Sequence, residues 1–284
     1  MADINRTSIS LPADVSSEIL QKTQEASAVM QLARQIPLPG RGTSIPVITA
    51  DPTAAWVGET SAKPVSNAGL ESKVMTAYKL AVIETFSEEF TRDANALYEA
   101  LIQRLPSALG AKFDATVFGN STAPGQNFDT FASCTGQNIA ANTGAYNALV
   151  AADGDIAAHG GILNGFVISP QARAILLAEK DSTERPLFIN NVAEGAIPMI
   201  LGAKTVQSKA AYGATANVVG VAGDWSQALY GTVEGVKIDI SNQATVTNGN
   251  TTINLWQQNM VAVRAEIELG FRADTDCFNL LKNA

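Results

Sequence analysis

The passage from Ile48 to Lys73, ITADPTAAWVGETSAKPVSNAGLESK, constrains this chain more than any other. It shows neither a helical period nor a clean alternation, and it carries Pro52, Pro64, Gly58 and Gly69. Irregular passages of this length inside a compact domain are uncommon and mark either a functional arm or a wrong element assignment. Its flanks are regular. Thr43–Ile48 reads as a short extended segment. Ser72–Phe86 alternates, with Val74, Thr76, Tyr78, Leu80 and Val82 on one side and Lys73, Met75, Ala77 and Lys79 on the other. That is the period of a strand with one buried face. The irregular passage is therefore expected to be the tip of a long two-stranded excursion, and Trp56 to find its apolar contact partly on a neighbour.

The rest of the chain divides into recognisable pieces. Residues 9–36 read as an arm with helix: Val15, Ile19 and Leu20 form one patch, and Val29, Leu32, Ala33 and Ile36 another at helical spacing. Pro37 and Pro39 stop the pattern. Thr85 and Glu88 have the spacing of a capping box, and Asp93 offers a second N-cap. Leu97, Leu101, Leu105, Leu109, Phe113 and Val117 then recur every four residues. The spacing predicts a helix of about 25 residues, roughly 37 Å long, with a kink expected at Pro106. A third helix is expected from about Thr143 to His159.

GFVISP (Gly165–Pro170) reads as a buried strand entering a helix, with Ser169 as N-cap and Pro170 at its first position. AIPMILGAKTVQS, NVVGVAGDWSQALYG and VEGVKIDIS suit a sheet with tight turns. Asp224, Trp225 and Tyr230 are best read as packing at a strand end. Asn259–Phe271 alternates: Val261, Val263, Ala265, Ile267 and Leu269 on one face, Arg264, Glu266 and Glu268 on the other. This is a one-sided strand whose polar face meets solvent or a neighbouring subunit. The class is α+β.

Charge and motifs exclude several functions. With 27 acids against 19 bases the net charge is −8, and no run of Lys or Arg supplies the basic stripe of a nucleic-acid binder. No apolar run approaches the ~20 residues of a membrane span, and MADINRTSIS is no secretory signal. Cys134 and Cys277 lack metal spacing and read as reduced, buried thiols. The single histidine, His159, sits at a helix end, where an imidazole commonly caps. Glu88 and Glu89 are adjacent, so they do not face each other as a dyad and instead suit a helix N-terminus. No phosphate-binding, dinucleotide-binding or nucleophile-elbow motif occurs. No enzymatic role, cofactor or metal is expected.

The order of these parts resembles the major capsid proteins of tailed bacteriophages, the Hong Kong 97 fold. The passages that carry the resemblance are AAWVGETSAKPVSN, KLAVIETFSEEFTRDA, LNGFVISPQARAILL, GDWSQALYGTVEGVKIDIS and NMVAVRAEIELGFRADTDCFNLL. Together they span about residue 9 to 281. The resemblance implies an N-terminal arm at 1–44, an extended loop (E-loop) at 45–84, a peripheral domain at 85–161 and 249–284, and an axial domain with a central mixed sheet at 162–248.

It also implies a structural role. The chain would assemble with itself in pentamers and hexamers into an icosahedral head, enclosing double-stranded DNA without gripping it. It would sit in the virion, and in the host bacterial cytoplasm before assembly, with no membrane partner. Some members carry an N-terminal scaffolding segment. Here the fold begins almost at Met1, which implies a separate scaffolding protein or none, beside a portal. Some members also join an E-loop Lys to an Asn of a neighbour, with a Glu as base. The matching positions are Lys63, Asn259 and Glu266. Two alternatives stay open: an encapsulin-type shell that holds enzymes, and an unrecognised enzyme.

Overall fold

The structure is a computed structural model. It describes residues 23–40, 42–50, 54, 56–57, 63, 65, 69–91, 94–140, 144–180, 183, 185, 187–188, 199–248 and 251–283. Among these, two sheets and one long helix form the body. The helices are α1 (Ala28–Leu32), α2 (Glu88–Thr91), α3 (Ala94–Val117), α4 (Ala145–Ala158) and α5 (Pro170–Ala178).

The first sheet is built around one long strand. Its members are β1 (Arg34–Pro37), β4 (Tyr78–Ser87), β10 (Ala228–Thr232), β11 (Lys237–Ser241) and β14 (Met260–Ala273). Every residue from Met260 to Leu269 is paired with β4. The opposite edge of β14 takes β11 at Ala262–Glu266 and β10 at Leu269–Ala273, both antiparallel. β1 adds in parallel beyond β10. The second sheet runs β5 (Thr135–Asn138), β15 (Phe278–Lys282), β9 (Val218–Gly223), β6 (Gly165–Ile168), β8 (Ala203–Gln207) and β7 (Met199–Ile200). Strands β2 (Thr43–Ala50) and β3 (Gly69–Met75) form a separate antiparallel ribbon, as do β12 (Thr245–Asn248) and β13 (Thr251–Asn254).

The core lies where α3 meets both sheets. Leu105, Leu109, Phe113 and Val117 of α3 are all buried, so the four-residue repeat does become the packed stripe of the helix. Phe113 meets Phe271 of β14 edge to face at 6.2 Å. Phe131 stacks on Phe278 at 4.4 Å, and Trp225 meets Phe278 edge to face at 5.3 Å. The Trp225 indole N–H donates to the carbonyl of Gly165 at 3.1 Å, so its polar end is satisfied where its ring is buried. Asp224 is a structural hub: it accepts from the Ile162 amide, Asn164 and Ser226. Partial burial opposes its ionisation, but these hydrogen bonds hold its carboxyl below the usual range. Asp224, Trp225 and Tyr230 thus serve packing.

Several expectations hold. Helix α5 starts with Pro170, and the Ser169 hydroxyl accepts from the Ala172 amide. His159 caps α4, its Nδ1 lying 2.9 Å from the Asp155 carbonyl. Cys134 and Cys277 are free and buried, and burial pushes their thiols up to about 12 and about 11. Helix α3 runs continuously through Pro106, and the expected cap Asp93 lies outside the described residues.

Three expectations need correction. The strand expected over Ser72–Phe86 is two strands, broken at Thr76 and Ala77. Met75 is fully buried while Val74 is 43% exposed, whereas Tyr78, Leu80 and Val82 face inward beyond the break. The inward parity flips because β3 pairs with β2, and β4 with β14. Second, Thr85 is no capping residue: it lies in β4 opposite Ala262, and sheet pairing overrides the local capping pattern. Third, Ile36 does not extend the arm helix. The chain leaves α1 after Leu32 and turns extended, because β10 offers an open edge to Arg34–Pro37.

Candidate assembly and cross-link site

In a protein whose sequence offers no catalytic motif, the informative surfaces are those that other copies could touch. Two places in the structure carry them, and a third holds the arm and the hairpin to the body.

The first is the outward face of β14. Alternation places Arg264, Glu266 and Glu268 on it, while Val263, Ala265, Ile267 and Leu269 are buried beneath. The facing strands supply opposite charges. Arg264 Nη2 meets Asp239 Oδ2 at 2.7 Å, directly across the ladder from β11. Its Nε lies 3.3 Å from Glu266 Oε1. Lys79 of β4 meets Glu266 Oε2 at 3.4 Å and Glu268 Oε1 at 3.8 Å. Glu266 therefore has both oxygens engaged, and its side chain is only 15% exposed. Cross-strand charge pairs of this kind fix register more than they add stability.

The second is the set of expected cross-link residues. Asn259 is exposed and sits just before β14 in left-handed backbone (φ 51°), its carbonyl accepting from the Glu88 amide at 2.8 Å. Lys63 is exposed near the hairpin tip. Glu266 lies seven positions along from Asn259. At the rise of a β-strand that is about 23 Å, so Asn259 and Glu266 of one chain cannot share a site. No contact among the described residues joins Lys63 to either. A cross-link site would have to be assembled from different subunits.

The third is a pair of anchors that sequence reasoning missed. Asp114, on α3, is fully buried. It accepts from the Ser27 hydroxyl at 2.5 Å, the Ala28 amide at 2.8 Å, the Val29 amide at 3.3 Å and the Ser208 hydroxyl at 3.3 Å. The first two amides of α1 would otherwise lack partners. Burial pushes the Asp114 carboxyl up to about 6, against the pull of these hydrogen bonds. The signal was present in the sequence, a lone Asp beside Phe113 on an apolar helix face. Arg272 is the second anchor. It pairs with Asp129 at 2.7 Å and donates to Asn127 at 3.0 Å and to the Val74 carbonyl at 2.8 Å. It thereby fastens the base of the β2–β3 hairpin to the end of β14.

Among the described residues no group of His, Cys, Asp and Glu could hold a metal, and no helix is long and apolar enough to cross a membrane.

A long helix against a sheet built on one extended strand, a second mixed sheet and a free β-ribbon define a capsid shell fold of the Hong Kong 97 type. Comparison with known proteins agrees. The profile of the Phage capsid family matches residues 8–276, and the chain belongs to that family. It is 29% identical to "Probable major capsid protein gp17" of Mycobacterium phage L5, over 96% of this chain and 89% of that one. A solved chain of Microbacterium phage Oxtober96 superimposes with a TM-score of 0.73 at 25% identity, covering 90% of each chain. One of Gordonia phage Cozz, at 21% identity, shares the fold with a TM-score of 0.73 over 90% of this chain and 86% of that one. The protein is a structural phage capsid protein that assembles with itself into a capsid shell, and its place is the virion capsid.

Proposed function

We propose that this chain forms the icosahedral head of a tailed phage, arranged in pentamers and hexamers and enclosing double-stranded DNA. In this reading residues 1–44 are an arm, 45–84 the E-loop, 85–161 and 249–284 the peripheral domain, and 162–248 the axial domain facing the symmetry axes. The two sheets trade strands across those boundaries: β10 and β11 join the sheet of β14, and β5 and β15 join that of β9. The peripheral and axial parts are thus interlocked, which suits a shell that carries load. The net charge of −8 suits a container that holds DNA without gripping it. A separate scaffolding protein and a portal would act before packaging, in the host bacterial cytoplasm.

The observation that most supports a shell subunit is Trp56. It is fully exposed (105%) on the E-loop, where Val57 and Val65 are exposed as well. A cluster of exposed apolar side chains marks an interaction site. The test is electron microscopy of the purified chain, with nucleic acid extracted from the particles. Closed shells and packaged double-stranded DNA are expected. Shells that copurify with an enzyme cargo, or a monodisperse monomer, would contradict the reading.

A covalent cross-link is a separate part of the reading. The Lys63 amine of one subunit would attack the Asn259 carboxamide of a second, releasing ammonia, with Glu266 of a further copy taking the proton. Boiling mature particles in SDS tests it: covalent multimers are expected, and bands of monomer size alone would end the idea.

A further inference from the structure

Two serine hydroxyls and one carboxylate tie three elements together at a single point. Ser27 caps α1, its hydroxyl oxygen accepting from the Met30 amide at 3.1 Å. Ser208 caps the short 3-10 turn Lys209–Ala211 that follows β8, its oxygen accepting from the Ala210 amide at 3.3 Å. Each hydroxyl thus accepts at a cap and donates its proton to Asp114 of α3, at 2.5 and 3.3 Å. One turn before Asp114, Gly110 leaves room for the backbone of the arm. A Cβ there would lie 3.2 Å from the Ser27 nitrogen and 3.3 Å from the Thr23 carbonyl oxygen. Gly110 and Asp114 stand at i and i+4, so both lie on the helix face that the arm covers.

The groups that hold this carboxylate are neutral. They are the hydroxyls of Ser27 and Ser208 and the amides of Ala28 and Val29. Glu25, Lys112 and Lys209, the nearest charged residues along the arm, α3 and the turn, are all exposed. Lys112 turns away to the Ser121 hydroxyl at 3.1 Å. Tyr230 of β10 meets Gln24 of the arm at 3.5 Å, and burial raises its phenol still further above neutrality. A charge on Asp114 is therefore met by hydrogen bonds alone while the arm covers it, and by water once the arm lifts. Burial without a counter-charge favours the protonated carboxyl, and water favours the ionised one. A protonated Asp114 keeps its partners, because a serine hydroxyl can turn from donor to acceptor.

We propose that the Ser27–Asp114–Ser208 junction is a proton-operated latch: a proton on Asp114 holds α1 against α3, and its loss loosens α1 and the Lys209–Ala211 turn together. The latch stands apart from the shell reading, since it needs no second copy. Val29 and Met30 are buried alongside, so the docked arm predominates at every pH and the proton sets how often it opens. β1 is held by its own ladder to β10, so the opening ends before Arg34.

Hydrogen exchange of the full chain from pH 4 to 8, corrected for the intrinsic rate at each pH, tests the latch. The Asp114 carboxyl lies at about 6 with the arm docked, against an ordinary value of 3.8 in water. The opening constants at residues 28–30 and 210–211 should therefore rise together by roughly sixtyfold across that range, while these amides exchange ahead of the core strand β9. Asp114→Asn should abolish the rise. Ser208→Ala removes a donor that favours the ionised carboxyl, so it should move the midpoint of the rise to higher pH. Exchange of α1 only in step with β9, opening constants that do not change with pH, an unchanged rise in Asp114→Asn, or an unmoved midpoint in Ser208→Ala would each overturn the latch.

Discussion

The arm segment and the hairpin are neighbours in the chain, yet they are treated in opposite ways by their own subunit. The arm returns to the body: Ser27, Ala28 and Val29 bond Asp114, β1 joins the edge of β10, and Leu38 is buried. Among the described residues the hairpin is fastened at its root, by the Arg272 clamp, by the Lys73 amine on the Ala273 carbonyl and by the buried Met75. Among the described residues its ribbon pairs with no third strand, and Trp56 is fully exposed. A two-stranded ribbon alone is marginal in water. In the proposed reading, the difference separates contacts that build the subunit from contacts kept for assembly.

That contrast can be broken experimentally, starting with its strongest element. Asp114→Ala would leave the Ser27 and Ser208 hydroxyls and two amides of α1 buried without an acceptor. A loss of about 3 kcal/mol in folding stability is expected, read by urea denaturation. A change under 1 kcal/mol would mean that the arm is not anchored there.

The same carboxylate gives a pH signature. Its folded pKa is about 6, raised from 3.8 by burial. Between those values the folded state holds a proton that the unfolded state has released. Its contribution is therefore fully present below about pH 4 and is lost as pH rises through about 6, an effect of about 3 kcal/mol. Urea midpoints of the wild type and Asp114→Asn from pH 4 to 8 should diverge in that window. Parallel curves would remove the buried carboxylate as the cause.

Arg272→Ala tests the root of the hairpin. Breaking its charged hydrogen bonds to Asp129, Asn127 and Val74 should cost about 2 kcal/mol, and should speed hydrogen exchange at residues 72–75. Unchanged exchange there would show that the clamp is not what holds the ribbon. The smallest effect belongs to the tip. Trp56→Ala should alter the stability of the unassembled subunit by less than about 0.5 kcal/mol, since the side chain has nothing to lose. A larger loss would mean that Trp56 packs on its own subunit.

How much of this was legible in the sequence follows the range of the forces involved. Helix α3, the Ser169–Pro170 helix start and the alternation of β14 were readable, because each is written in residues close together. The ribbon was readable as an excursion because its flanks are extended and its tip has no period. The parity break at Thr76 and Ala77 was not, since it depends on β3 and β4 choosing different partners. Nor was β1, whose residues Arg34–Pro37 carry little strand preference and are extended because an edge is open to them. The β12–β13 hairpin was overlooked although Asn248 and Gly249 are a turn signal, because its strands are short and polar. At the candidate site, Lys63, Asn259 and Glu266 came from family likeness. The strand's own rise then separates Asn259 from Glu266, and only a neighbouring copy could bring such groups together.

The most direct measurement is a cryo-electron microscopy map of particles assembled from the full chain. The expected result is a closed shell in which each β2–β3 hairpin crosses onto a neighbour, with the Trp56 ring buried against that neighbour. Shells in which Trp56 folds back onto its own subunit or stays in solvent would contradict the division between built-in and reserved contacts.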